Sequence, residues 1–202
     1  LLQWKTGPRR KPLILNGARQ VGKTWILKHF GEMHYDNVAY INCDKESLAA
    51  KLFEDYDTKR IIQAIEAMTN TQIVAGKTLI IIDEIQEVPR GLHALKYFAE
   101  NAPEQHIAVA GSLLGLLLHQ GESFPVGKVN MLQMHPMTFL EFLKAMGEDK
   151  IYQQLLNREW SVTNTVHEKI VKHLRMYLYV GGMPEAVQAY CDNAPLREIR
   201  SI

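Results

Sequence analysis

The chain has 202 residues and a mass of 23.1 kDa, room for one domain of roughly 150 residues and a remainder. Hydrophobic residues make up 47% and charged residues 22%, a composition that excludes global disorder. Lys and Arg number 23 against 22 Asp and Glu, and the resulting formal charge of +1 gives no whole-chain attraction to nucleic acid or an anionic membrane.

A basic lead-in containing Trp4, Lys5, Arg9, Arg10 and Lys11 is expected at the surface. Pro12-Leu13-Ile14-Leu15 then reads as a buried strand ending in the turn Asn16-Gly17. A helix is predicted from Gly22 to about Phe30, and a second strand over Val38–Ile41. Helices are predicted near Lys45–Glu54 and Thr58–Met68. Thr78–Ile82 is a continuous β-branched run and the strongest strand signal; it ends on Asp83-Glu84. Leu92–Glu100 reads as a helix, His106–Ala110 as a fourth strand ending in Gly111-Ser112, and Val129–Met134 as a fifth. Strands alternating with helices imply βαβ units and a parallel sheet covered on both faces. After His135-Pro136 the strands stop. Thr138 and Glu141 stand at capping-box spacing, and a helix is expected near Glu148–Asn157. Val166, Ile170, Leu174 and Leu178 suggest one apolar face of a long helix, which Gly181-Gly182 stops and after which Pro184 starts another. The expected division is a core at 1–136 and a helical unit at 137–202.

Gly17-Ala18-Arg19-Gln20-Val21-Gly22-Lys23-Thr24 fits the pattern G-x-x-x-x-G-K-S/T, between a predicted strand and a predicted helix. The chemistry accounts for each position. The glycines let the backbone curl so that successive N–H groups face phosphate oxygens, and the helix N-terminus adds its dipole. Lys23 would reach the β- and γ-phosphates, and Thr24 would set its hydroxyl on Mg²⁺. Asp83 would help hold the metal, and Glu84, one position beyond the strand end, would polarise an attacking water. Ser112 closes the next strand, where open α/β sheets bind ligands; its alternative is an N-cap for the leucine-rich segment that follows.

Other chemistries fail on spacing. His167-Glu168 lacks the second zinc-binding His, because position 171 is Val, and Cys43 and Cys191 have no partner at a metal spacing. Two cysteines fit a reducing cytoplasmic compartment better than a disulfide framework. The apolar stretch from Ile107 to Leu118 is shorter than the ~20 residues a bilayer requires, and the first residues lack a signal-peptide pattern.

With these residues in place, the chain resembles P-loop ATPases of the additional-strand, catalytic-glutamate type. More narrowly, it resembles the AAA-type predicted ATPases of bacteria and archaea that carry a C-terminal domain of unknown function. The segments that carry the likeness are Pro12–Thr24, Leu79–Gln86, Ala110–Leu114, Phe124–Lys128, His135–Phe142 and Gly181–Glu185. The resemblance implies a three-layer α/β fold with strand order 5-1-4-3-2, followed by a small helical lid. It makes Lys23 and Thr24 the Walker A pair, Asp83 and Glu84 the Walker B pair, and Ser112 the sensor-1 position. Gly182-Met183-Pro184 resembles the turn that sits near the adenine in related ATPases. The implied ligands are ATP and Mg²⁺. The implied partners are the family's C-terminal domain, expected beyond the residues present, and further copies of the chain; no membrane is implied. Arg19, Arg90 and Lys128 are the candidate arginine-finger positions, and Lys128 departs from the arginine often found there. Three functions stay open: ATP hydrolase, slow nucleotide switch or scaffold with nucleic acid as an open partner that the net charge does not support, and small-molecule kinase. The Asp-Glu pair favours hydrolysis over transfer to a substrate hydroxyl.

Overall fold

The structure is a computed structural model that describes residues 1–45, 48–112 and 127–201. The leucine-rich segment after Ser112 and Phe124–Val126 lie outside the described residues. The described chain divides into two compact units, Leu1–Met134 and His135–Ile202.

In the first unit the elements run α1 (Leu2–Thr6), β1 (Leu13–Gly17), α2 (Lys23–His34), β2 (Asn37–Asn42), α3 (Ala49–Leu52), α4 (Thr58–Thr69), β3 (Thr78–Asp83), a 3₁₀ turn (Ile85–Glu87), α5 (Pro89–Asn101), β4 (His106–Gly111) and β5 (Asn130–Met134). The five strands form one parallel sheet of order β2-β3-β4-β1-β5, the order the resemblance implied. Period-two alternation along buried strands sends neighbouring side chains to opposite faces. Leu13, Leu15, Leu79, Ile81, Ala108 and Ala110 pack with Leu27 and Phe30 of α2. Ile14, Ile80, Ile82, Ile107 and Val109 pack on the other face with Ile61, Ile65, Leu95 and Phe98 of α4 and α5. Three layers result. Register pairs Asn42 with Asp83, Asn16 with Gly111, and Gly17 with Met134, so the carboxyl ends of all five strands share one edge.

The lead-in differs from its expected place. Trp4 is buried under the sheet, and its indole N–H donates to the Lys11 carbonyl at 2.7 Å. Arg10 donates to the carbonyls of Pro103 and Gln105, ahead of β4. The indole supplies apolar area the core can bury, and the guanidinium ties the lead-in to the loop ahead of β4.

The second unit holds α6 (Phe139–Ala145), α7 (Asp149–Leu156), α8 (Trp160–Thr165), α9 (His167–Val180), α10 (Pro184–Cys191) and α11 (Leu196–Ile199). The capping box forms as read: Thr138 accepts from the Glu141 amide, and Glu141 accepts from the Thr138 amide. Gly181 ends α9 at φ 81°, and a Cβ on Gly182 would lie 2.3 Å from the Met137 carbonyl oxygen. Phe142, Val180, Ala186, Val187 and Ile199 form one small core, and Leu143, Ile151 and Ile170 another. The predicted apolar face of α9 is only partly buried: Ile170 is in the core, but Leu178 is 74% exposed. The reason is angular. Each step of four residues advances about 40° beyond a full turn, so three steps from Val166 leave the core-facing side. Ile170, Tyr177 and Val180 keep to that side instead.

His106, at the start of β4, is buried beside Trp4 and is 2.7 Å from the Tyr35 hydroxyl through Nδ1. Burial, with Arg10 and Lys5 nearby, lowers its pKa from 6.5 to about 4. The unfolded chain therefore binds a proton that the folded chain refuses between these values, and acid favours unfolding across that window. Lowering the pH from 7 to 5 is expected to remove about 2 kcal/mol of stability through this one group. Denaturant melts at both pH values test it. His106→Gln, which accepts a hydrogen bond without titrating, should lose that much less than wild type; equal losses would refute the assignment.

Candidate nucleotide site

The loop Gly17–Thr24 leaves β1 and enters α2 through two left-handed residues, Gln20 at φ 62° and Gly22 at φ 90°. Ala18, Arg19 and Gln20 are exposed along its crest, and Val21 is fully buried, which anchors the loop to the core. Only Gly22 among the loop's two glycines is needed for a positive φ. Gly17 is needed for closeness: a Cβ there would lie 2.4 Å from the carbonyl oxygen of Met134 on β5. The sequence reading assigned both glycines to loop curvature, so the role of Gly17 is revised.

Lys23 is buried, and its ammonium donates to the loop carbonyls of Gly17 and Ala18 at 3.1 and 2.6 Å. Burial lowers its pKa; the carboxylates of Glu84 and Asp83 pull the other way, and Arg19 adds to the lowering. The ammonium thus sits within electrostatic reach of both acids at the end of β3. Thr24 donates its hydroxyl to Asp83 Oδ2 at 2.6 Å. Asp83 is 3% exposed, and the same oxygen accepts from the Tyr40 hydroxyl at 3.0 Å while Oδ1 accepts from the Glu84 amide at 3.1 Å. Burial, then the negative charge of Asp83, pushes the thiol of neighbouring Cys43 up to about 12, so Cys43 stays a neutral packing group.

Glu84 follows in a left-handed conformation, φ 52° and ψ 42°, an unfavourable state for a residue with a Cβ. Its carboxylate accepts from Gln86 Nε2 at 2.5 Å. Ser112 lies just past β4; its hydroxyl is buried and finds no hydrogen-bond partner among the described residues. Pro184 is the first residue of α10, in the other compact unit. Of the candidate fingers, Arg90 donates to the Glu54 carbonyl and lies 5.0 Å from the Tyr56 ring centroid, and Lys128 pairs with Glu100 at 2.9 Å.

Two residues escaped the sequence reading. Tyr40 was read as part of an apolar strand, yet its hydroxyl reaches Asp83 and its ring carries the Lys28 ammonium 3.5 Å from the centroid. Gln86 closes the segment Leu79–Gln86, and no local sequence pattern gives it a role. A groove of about 640 Å³ runs along α9, lined in part by Val171, Arg175, Met176, Tyr179 and Leu196, and contains none of the predicted site residues.

A family described as an AAA domain matches residues 9–143, a span that contains the loop, the acidic strand end and Ser112. The chain belongs to this AAA-domain family. No curated protein matches the sequence. Among solved structures, Drosophila ORC bound to DNA is similar in fold, with a TM-score of 0.52 and 13% identity, over 99% of this chain and 63% of that one. C. elegans PCH-2 aligns over 77% of this chain and 42% of its own, with 12% identity and a TM-score of 0.40. The AAA-domain chain therefore spans under two thirds of either structure's length. At such identity the Drosophila likeness concerns the fold alone. No helix among the described residues of the AAA-domain chain is long and apolar enough to cross a membrane.

Gly17→Ala is expected to cost about 1–3 kcal/mol, because the new methyl group must displace the β5 backbone. Thermal melts of the two proteins check this. An unchanged melting temperature would mean that β1 and β5 are not packed this closely.

Proposed function

We propose that the chain is an ATP hydrolase that takes ATP with Mg²⁺ in the loop Gly17–Thr24 and couples turnover to movement of its helical unit or of a partner domain. The observation that carries the reading is the 2.6 Å bond between Thr24 and Asp83, which brings the loop and the acidic strand end into one site. The donor set suits the metal. Thr24 and Asp83 offer hard oxygens, and Mg²⁺ takes one or two protein oxygens while keeping phosphate and water ligands. Such a site needs no dense cage, in keeping with the lack of any cluster of three or more His, Cys, Asp or Glu ligands among the described residues. When bound, Mg²⁺ would neutralise charge on the β- and γ-phosphate oxygens.

The chain's own residues do the rest. Backbone N–H groups from Ala18 to Lys23 face the phosphates. Lys23 exchanges its two carbonyl partners for phosphate oxygens, so that bonds with one charged partner are replaced by bonds in which both partners are charged. Glu84 takes a proton from the attacking water. Ser112, whose hydroxyl has no partner among the described residues, offers it to the γ-phosphate or to that water. Pro184 is assigned to the adenine by resemblance alone, as is the lid role of the helical unit. A second copy of the chain is the partner that an AAA domain suits. Nucleic acid is not part of the proposal, since a net charge of +1 offers a polyanion little.

A slow switch or scaffold is the second reading. What favours it is the pairing of Lys128 with Glu100, which commits that cation within its own chain and leaves no guanidinium at that position.

Lys23→Ala is expected to abolish binding of the triphosphate, measured by fluorescence of a labelled analogue. Retained affinity would remove the loop from the site. Glu84→Gln should bind ATP like wild type and turn it over about 10²–10⁴-fold more slowly. A wild type that binds ATP tightly and is no faster than Glu84→Gln is the switch.

A further inference from the structure

We infer that Gln86 holds the attacking water jointly with Glu84, a role that rests on the hydrolase reading above. Gln86 sits in the middle of the 3₁₀ turn that follows β3. The left-handed backbone at Glu84 starts this turn, and the Glu87 amide closes it by donating to the Glu84 carbonyl at 3.0 Å. That geometry folds the Gln86 side chain back over Glu84. Its Nε2 donates to Glu84 Oε2 at 2.5 Å and weakly to Glu87 Oε1 at 3.4 Å.

Both neighbours are carboxylates, which when ionised can only accept. They dictate which end of the amide faces them: the NH₂ turns toward Glu84, and Oε1 must turn away. Oε1 is buried, and no donor among the described residues reaches it. A buried amide oxygen left without a donor costs about 1–3 kcal/mol. The arrangement is therefore one carboxylate and one carbonyl, tied together by a hydrogen bond, with the carbonyl lacking a donor. Water is the ligand that completes it. One O–H points at Glu84 and the other at Gln86 Oε1, which leaves an oxygen lone pair directed outward. Ser112, at the end of the neighbouring strand, carries a further buried oxygen without a partner among the described residues.

The water oxygen bonds to the γ-phosphorus while the bridging P–O bond breaks, its electron pair leaving on ADP. One water proton passes to Glu84, and the other stays in its bond to Gln86 Oε1 until inorganic phosphate departs. An amide oxygen is far too weak a base to take the proton, so Gln86 contributes orientation. Fixing a nucleophile in line is worth orders of magnitude, and a glutamine does this for water in some GTPases.

The test uses the 202-residue chain and two kinds of readout. Gln86→Leu should lower kcat roughly 10- to 100-fold with KM and ADP affinity unchanged. It should also weaken binding of ADP with aluminium fluoride, a mimic of the in-line transition state, by a similar factor. Should Gln86→Leu fail to fold, Gln86→Asn retracts the same amide by one methylene and carries the same expectation. A kcat within twofold of wild type overturns the inference. So does a fall in ADP affinity matching the fall in kcat, which marks a structural role. If wild type turns over ATP, Glu84→Gln does not, and Gln86→Leu runs at full rate, only the role of Gln86 is lost. A wild type without turnover takes the hydrolase reading down, and this inference with it.

Discussion

A carboxylate that is 3% exposed must be hydrogen-bonded on nearly every side, and Asp83 meets that demand with three donors from three places. Thr24 comes from the first turn of α2, Tyr40 from the middle of β2, and the third donor is the amide of the following residue. Losing one donor would leave part of a buried anion unpaired, which is expensive in a low-dielectric interior. The start of α2, the edge strand β2 and the turn after β3 are thus pinned to one another by a single side chain. The parallel register makes this feasible. It brings the ends of β1 and β3 to the same edge of the sheet, so a side chain at the end of β3 can reach a helix that begins six residues past the end of β1.

Two of the six non-glycine residues with positive φ among those described stand at the same edge. Gln20 and Glu84 both hold left-handed backbone with a Cβ attached, at about 1–2 kcal/mol each. Both stand next to fully buried residues, Val21 and Ile85, so the surrounding core determines their conformation. A loop with few apolar contacts would relax such residues; a loop fastened by Val21 cannot. The result is an ordered rim on a rigid sheet, suited to holding several polar groups at fixed separations before any ligand arrives.

The parts of this arrangement that were legible in the sequence are those written in short-range patterns. Thr78–Ile82 could hardly be anything but a buried strand. The spacing of Gly17, Gly22, Lys23 and Thr24 fixed the loop, and Thr138 with Glu141 announced a helix start. What escaped depends on distance along the chain. Tyr40 matters because register sets it opposite Ile81, two residues short of Asp83, from where its hydroxyl reaches the carboxylate, and register follows from the whole sheet. Gln86 matters because a 3₁₀ turn reverses its side chain onto Glu84, and no three-residue pattern encodes that reversal. The strand order itself came from resemblance. Helices α1, α3, α8 and α11 span four to six residues, too short for a 3.6-residue period to declare itself. The face of α9 was misjudged because four-residue spacing drifts around a helix, an error that grows with helix length.

The role of Gly17 bears on how a nucleotide site could be felt elsewhere. Its missing side chain lets β1 approach β5 so closely that a single methyl group would collide with the Met134 carbonyl. Met134 is also the last residue of the first compact unit; His135 begins the next. The residue that opens the loop after β1 and the residue that closes the unit are therefore register partners in adjacent strands. Packed interiors are stiff, and two backbones in contact move together or not at all. Under the proposed function, a displacement of the loop on phosphate binding or release has to be shared with the end of β5.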